Sequence, residues 1–252
     1  MKKTALAVLV TGLLSTSAMA DTIAGLYIGG SIWSNEATGT FGEQTGLVDF
    51  NLEDKEQGSF YIALEHPIPL IPNLMIASTT LDTDGATVLS QDFDFSGKKF
   101  DAGTAVGSTF DISYIDYTLY YEIFDNGLFS FDLGLTGRDF DGDITVASAI
   151  GGTSVEGTLA VTEIVPMLYV STIVGLPGTS FNLFANGNLL SIDDHTIYDY
   201  QVGLSYELID NLAVDVNLTL GYKAVKFELE DLDDLYTNIE FKGAFAGVVV
   251  HF

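Results

Sequence analysis

The chain has 252 residues, of which 35 are acidic and 9 basic, and its formal net charge is −26. It contains no cysteine, which excludes a disulfide scaffold. Nucleic-acid binding is also excluded, because phosphates require basic patches. The 17 Phe and 12 Tyr residues exclude a disordered acidic tail, since such segments lack aromatic residues. The chain is therefore acidic, hydrophobic and folded.

The N-terminus has the pattern of a secretory signal peptide. Lys2 and Lys3 precede an apolar run over 5–14, and residues 18–20 form an A-x-A cleavage site. The run is too short to span a bilayer. We expect a signal peptide over 1–20, Sec export with cleavage before Asp21, and a single domain over 21–252.

Apolar residues recur at every second position along most of the mature chain, which is the period of a β-strand. The pattern is clear over 26–32, 59–65, 115–122, 129–136, 198–207 and 212–223. Strands of soluble sandwiches are mostly about 5–6 residues long. The longest runs here reach the roughly 9–11 residues that cross a bilayer at a tilt. The sequence therefore predicts an all-β, antiparallel, up-and-down transmembrane barrel.

Two kinds of turn separate the predicted strands. Tight turns are expected at 66–73, 124–127, 175–179 and 209–211, and long loops at 35–57, 84–109, 138–157, 191–195 and 224–236. Short periplasmic turns and long extracellular loops are typical of outer-membrane barrels. Together they predict ten strands, with eight or twelve as alternatives.

Three local features refine the strand assignment. Phe93, Phe95 and Phe100 favour an extra hairpin above the membrane within 84–109. Pro166 predicts a bulge or a strand end, because proline cannot donate to a β-ladder. A Tyr-Glu-x-x-Asp-Asn sequence occurs at 121–126 and again at 206–211, which we interpret as one hairpin solution used twice.

The C-terminal residue Phe252 is in phase with the alternating apolar residues Ala244, Ala246, Val248 and Val250. A terminal aromatic residue on such a strand resembles the signal by which the barrel-assembly machinery recognises outer-membrane proteins. That machinery, membrane lipid and lipopolysaccharide are therefore the expected partners.

With these features, the chain resembles an uncharacterised family of Gram-negative outer-membrane β-barrel proteins. The resemblance covers essentially the whole chain and depends on 21–30, 65–72, 191–195, 206–216 and the Phe252 terminus. It implies location and fold. It implies no activity and no catalytic residue.

Three acidic residues precede predicted tight turns and are in phase with the lumen: Glu65, Glu122 and Glu207. Rings of acidic side chains select cations in channels. The alternative is that they are polar filling, since a ten-stranded barrel is only slightly wider than the eight-stranded kind that side chains fill.

Two further features concern charge at the outer end of the barrel. All seven basic residues of the mature chain, including Arg138 and Lys223, fall in predicted loops or outer strand ends, and Lys226 and Lys242 face outward by phase. These two lysines are candidates for contact with lipopolysaccharide phosphates. Asp139, Asp141 and Asp143 alternate in the manner of a Ca²⁺ loop, although the glycine is misplaced for an EF-hand.

A third hypothesis concerns catalysis. Asp82 and Asp84 end the predicted third strand, and Asp193 and His195 lie in the fourth long loop. This arrangement is similar to that of omptins, ten-stranded outer-membrane proteases with two acids on one loop facing an Asp–His pair on another. An Asp–His couple activates water. The chain is shorter than an omptin and shows no other omptin signature.

The sequence thus predicts a monomeric outer-membrane barrel, without cofactor or catalysis, that has a structural or cell-surface interaction role. The first alternative is a narrow cation-selective channel or a transporter of small solutes. The second alternative is an omptin-like protease.

Overall fold

A computed structural model describes residues 24–43, 46–150, 153–193, 195–211, 213–232 and 235–252. The predicted signal peptide and its cleavage site before Asp21 lie outside these ranges. The described residues include no helix long and apolar enough to cross a membrane.

Ten antiparallel strands form a closed barrel, as the sequence predicts. Neighbouring strands of the barrel follow one another in the chain, except where strands of two smaller sheets intervene in the sequence. Pairing of β1 with β16 closes the barrel. The strands are β1 (Gly25–Glu43), β2 (Lys55–Glu65), β3 (Asn73–Thr79), β8 (Tyr114–Asp125), β9 (Phe129–Phe140), β12 (Ile164–Gly175), β13 (Phe181–Ile192), β14 (His195–Asp210), β15 (Asp215–Leu232) and β16 (Leu235–His251).

A second sheet continues four of these strands beyond the barrel. It contains β4 (Asp82–Val88), β7 (Ala105–Asp111), β10 (Gly142–Ile150) and β11 (Thr153–Val161), in the order β11-β10-β7-β4. One or two residues separate each of them from the barrel strand that it extends. A short hairpin of β5 (Phe93–Phe95) and β6 (Lys98–Phe100) confirms the predicted extra hairpin.

Strands on the opposite wall project to the same side of the barrel. β1, β15 and β16 have 19, 18 and 17 residues, whereas about 9–11 residues cross a bilayer. Two β-layers therefore face each other above the barrel. We call this two-layered part the outer half, and the part that carries the tight turns the inner half.

The prediction of long loops is therefore wrong, because most of the residues assigned to them lie in strands. The segment 138–157 is largely β9, β10 and β11, and Ile192 at the end of β13 pairs with His195 at the start of β14. The tight turns are confirmed between β2 and β3, β8 and β9, β12 and β13, and β14 and β15. The cause of the error is that strand pairing continues past the membrane-crossing length.

The repeated Tyr-Glu-x-x-Asp-Asn sequence forms the same structure twice. A register shift follows each glutamate, between Glu122 and Phe124 and between Glu207 and Ile209. The asparagine of each copy then accepts two backbone N–H bonds across the turn. A β-bulge and an Asx turn together end each strand, which confirms the interpretation of one hairpin solution used twice.

Pro166 lies near the start of β12, opposite Gly137 of β9. Pairing of β12 with β13 begins only at Leu168. The missing N–H of the proline therefore removes no bond from the ladder with β13, and the strand begins two residues before the proline, at Ile164.

The outward face of the barrel strands is a continuous apolar band. Ile62, Leu204 and Leu220, for example, are 43–63% exposed. Contiguous apolar surface on this scale is rare on soluble monomers. It matches the apolar band of transmembrane barrels.

Candidate functional site

The outer half contains an aromatic core that lies across the mouth of the barrel. We call it the outer seal, and its members are Phe41, Phe50, Phe93, Phe95, Phe110 and Phe241, each at most 2% exposed. The Phe41 ring lies 4.5 Å from that of Phe50 and 5.3 Å from that of Phe110, while Phe110 and Phe241 are 6.5 Å apart.

The seal joins the two layers because its rings come from both. Phe41 and Phe241 belong to β1 and β16 of the barrel wall, whereas Phe110 belongs to β7 of the second sheet. The β5–β6 hairpin contributes Phe95, whose ring lies 6.1 Å from that of Phe41, and Phe93, whose ring lies 5.9 Å from that of Phe50. Interiors packed in this way have few voids larger than a water molecule.

Directly inward of the seal, charged side chains cross the lumen. Arg138 is fully buried, and its Nε and Nη2 each donate to the Asp116 carboxylate at 2.8 Å. Nη2 also donates to Asp199, which lies on β14, three strands from β9 around the barrel. The guanidinium stacks 3.7 Å over the Tyr114 ring. We call Arg138, Asp116 and Asp199 the lumen ion network.

Polar neighbours extend the network along the wall. Asn188 donates to Asp199 at 3.5 Å and accepts from Thr136 at 2.6 Å. Lys223 lies 5.1 Å from the Trp33 ring and is 9% exposed. Arg138 lies two residues from the outer end of β9, as predicted, whereas Lys223 lies in the middle of β15 and not at a strand end. Both side chains are buried in the lumen. The two-residue alternation of the sequence could have indicated this burial, since Arg138 and Lys223 are both in phase with the inward-facing polar residues of their strands.

The three predicted lumen acids lie at the inner end of the barrel. Glu65 accepts from the Tyr120 hydroxyl at 2.8 Å, and Glu207 accepts from Asn182 at 3.0 Å. Glu65 and Glu122 lie on β2 and β8, on either side of β3, whereas Glu207 lies on β14, four strands from either. The structure thus brings two of the three acids to one side of the wall.

The residues of the protease hypothesis lie on opposite walls. Lys55 forms ion pairs with Asp82 and with Asp84, the latter at 2.8 Å, and these bonds raise the pKa of Lys55 and lower that of Asp84. His195 begins β14, five strands from β3 by either route, and its Nδ1 accepts from the Glu230 amide at 3.4 Å. Asp193 occupies the β13–β14 turn with φ of 51°.

The proposed Ca²⁺ segment is not a loop, which corrects the sequence prediction. Asp139 belongs to β9 and Asp143 to β10, with only Asp141 between the strands. An extended chain spaces alternate residues by roughly 6.6 Å, so these carboxylates do not curl around one ion. In the described ranges, no group of three or more His, Asp or Glu residues is placed to hold a metal.

The remaining predicted residues lie on the barrel exterior and at its seam. Lys226 pairs with Glu228 at 2.7 Å, and Lys242 with Glu240 at 3.0 Å. Phe252 is 55% exposed, and its backbone exchanges two hydrogen bonds with Leu26 where β16 meets β1.

Comparisons with known proteins bear on the architecture. No model of a known protein family matches the chain, and no curated protein matches its sequence. The chain is similar to the structure of Neisserial surface protein A, with 13% identity over 90% of this chain and 97% of that one, at a TM-score of 0.28. The transport unit of the autotransporter AIDA-I from Escherichia coli is 9% identical over 96% of both chains, at 0.40.

A mutant of the monoaromatic hydrocarbon channel TodX is 8% identical over 95% of this chain and 93% of that one, at a TM-score of 0.39. These neighbours are outer-membrane β-barrel proteins. Scores this low carry no argument about function, and the fold rests on the strand pairing given above. The resemblance to one uncharacterised family stays a prediction.

Proposed function

We propose that the mature chain, over 21–252, is an integral outer-membrane protein with a closed lumen and a non-catalytic interaction role at the cell surface. The observation that carries this proposal is the outer seal, whose six phenylalanine rings are each at most 2% exposed. A pore for ions or solutes requires a continuous wetted path, and a close-packed aromatic core removes it.

Membrane insertion is supported by the apolar band and by the strand ends. The band meets lipid, and Phe252 serves the barrel-assembly machinery. Lys226 and Lys242 flank the band on the side of the outer half, where lipopolysaccharide phosphates would meet them as point charges. Under this proposal the outer half stands outside the cell and the tight turns face the periplasm.

A surface role is supported by the construction of the outer half. Its hydrophobic core resembles that of a small soluble β-sandwich, in which two sheets bury their facing side chains. This core does more than cover the lumen, because it also holds the hairpins of both layers in fixed positions. A rigid scaffold that presents turns is the usual arrangement of a binding surface.

Topology is tested with an epitope inserted after Gly97, at the tip of the β5–β6 hairpin. Antibody staining of intact cells is expected. The same epitope inserted after Pro177, in the β12–β13 turn, is the matched control and should stain only permeabilised cells. The opposite pattern would overturn the orientation.

Closure is tested by single-channel conductance of the refolded protein in a planar bilayer with K⁺ and Cl⁻ gradients. The wild type is expected to be silent, and a variant that joins residue 90 to residue 103 should conduct, because Phe93 and Phe95 leave the seal. Steady cation-selective steps from the wild type, reduced by Glu122→Gln or Glu207→Gln, would instead establish the channel alternative.

A further inference from the structure

The inner half of the barrel encloses a cavity of about 270 Å³. Its lining reaches the inner ends of the strands at Tyr27, Asn182 and Glu207, and it extends inward to Gln201 and Phe245. Gln201 and Phe245 mark the end of the cup nearest the outer half, and the lumen ion network and the outer seal lie beyond them. The cavity is therefore a cup whose mouth is at the end of the tight turns.

Aromatic rings line this cup because glycines make room for them on the wall. Each ring belongs to a residue directly opposite a glycine of the neighbouring strand. A Cβ on the glycine would lie 2.1, 3.0 or 2.9 Å from the nearest ring atom in the pairs Gly29–Tyr61, Gly203–Phe184 and Gly221–Phe245 respectively. The rings thus occupy space over the wall itself, which leaves the centre of the lumen open.

Polar side chains alternate with these rings. Ser31 and Ser59 share a hydrogen bond of 2.7 Å, and Ser205 donates to Asn217 at 3.3 Å. These pairs retain further hydrogen-bonding capacity toward the lumen.

Three more polar side chains of the lining belong to Asn186, Gln201 and Thr219. Within the described part of the chain, no hydrogen bond uses their side-chain atoms. The two amides each present donors and an acceptor, and the threonine hydroxyl presents both functions. The cup thus combines apolar rings with mixed donors and acceptors.

The charge and size of the cup restrict its ligand. Among the described residues that line the cup, Glu207 alone has a carboxylate or ammonium side chain, so a phosphate or carboxylate ligand would meet repulsion without a compensating base. Sites for drug-sized ligands have volumes of roughly 300–1,000 Å³. A cavity of about 270 Å³ suits a smaller ligand.

We propose that this cup binds a small neutral polyhydroxylated ligand, of the size of a monosaccharide, that enters from the periplasm. The hydroxyls of such a ligand match the serines, asparagines and Gln201, while its C–H faces pack against Tyr61, Phe184 and Phe245. Because the outer half is closed, a ligand enters and leaves this site only at the periplasmic end, and the site is not part of a permeation pathway.

Binding is tested by saturation-transfer NMR of the full-length mature protein refolded in an amine-oxide detergent, which carries no sugar headgroup. The probes are D-glucose, N-acetyl-D-glucosamine and myo-inositol, with D-gluconate as the anionic control. We expect a signal from at least one neutral probe, with a Kd on the order of millimolar for a ligand of this size, and none from gluconate.

Two variants locate the site. Gln201→Leu and Asn186→Leu are each expected to weaken binding at least tenfold, whereas Val202→Leu, on the outward face of the same strand as Gln201, should bind like the wild type. Heat-modifiable gel mobility reports whether each variant is folded. Absence of any neutral-probe signal with folded wild type, equal binding of gluconate, or unchanged binding by both folded lumen variants would overturn the proposal.

Labelling gives an independent readout because the chain has no cysteine. Ser205→Cys should react with a maleimide more slowly, by at least threefold, when the binding probe is saturating. An unchanged labelling rate would place the probe elsewhere and would also overturn the proposal.

Discussion

The two halves of the lumen differ although the same strands run through both. Phe241 and Phe245 of β16 both face inward. Both are buried, at 0% and 3% exposed, but Phe241 packs on Phe110 of the second sheet, whereas Phe245 lies over Gly221 and lines the cup.

Barrel width explains the difference. About eight strands give an interior that side chains of the wall just fill, and this barrel has ten. The outer half is solid because the second sheet and the β5–β6 hairpin bring residues from outside the wall. The inner half has only its wall, and it stays hollow.

The largest effect is expected at the boundary between the halves. Arg138→Ala leaves Asp116 and Asp199 buried without their cation, which typically costs about 3–5 kcal/mol. Urea unfolding in detergent micelles, followed by fluorescence, measures the loss. Adding Asp116→Asn, Asp199→Asn and Lys223→Met to an Arg138→Met variant should recover most of it, because the buried Lys223 beside the two aspartates is then removed with them and no charge is stranded. An Arg138→Ala variant as stable as the wild type would contradict the account of the network.

A pair of substitutions on β16 compares the halves directly. Phe241→Ala is expected to reduce the free energy of unfolding by about 3–5 kcal/mol, because the close-packed seal keeps the resulting void. Phe245→Ala should cost less, about 2 kcal/mol, since one side of its ring already borders the cup. The same urea titration measures both. Equal losses would show that the inner half is packed as tightly as the outer half.

Substitutions that enlarge a side chain also compare the packing of the outer half with that of the inner half. Ala37→Leu, in the outer core, is expected to destabilise by about 1–3 kcal/mol because no space is available. Thr219→Leu, in the cup, should change the free energy of unfolding by less than about 0.5 kcal/mol, the usual range for substitutions away from packed features. Destabilisation by Thr219→Leu as large as that by Ala37→Leu would contradict an open cup.

The smallest effect concerns pH and the second sheet. Hydrogen bonds to Asp82 and Asp84 raise the pKa of Lys55 above 10.5, and the bond from Lys55 lowers the pKa of Asp84 below 3.8. The Lys55–Asp84 contribution is therefore fully present between these two values. It is lost as the pH falls through the folded pKa of Asp84 or rises through that of Lys55.

Asp84→Asn should consequently reduce the loss of stability between pH 6 and pH 3, by less than about 1 kcal/mol because the pair is partly exposed. Thermal unfolding at the two pH values measures this change. Lys55→Met should give the same reduction, and the double variant should add nothing further. Additive effects of the two substitutions would show that the pair is not coupled.

Much of the barrel could be predicted from the sequence because its signals are local. Alternation at Val202 and Leu204 reports one face of one strand, and the two Asp-Asn turns report where strands end. The phase of Phe252 reports the side of the final strand. From these patterns follow an all-β barrel, ten strands and an apolar exterior.

What fills the lumen was decided by tertiary structure, because it depends on contacts between residues distant in the chain. The bond from Arg138 to Asp199 joins residues 61 positions apart, and Ser96 bonds Thr158 across 62. The alternation of polar and apolar residues predicts that a side chain points into the lumen, but it does not predict which residues that side chain contacts there. Only closure of the barrel, with the second sheet folded over one end, makes one half of the lumen solid and leaves the other half hollow.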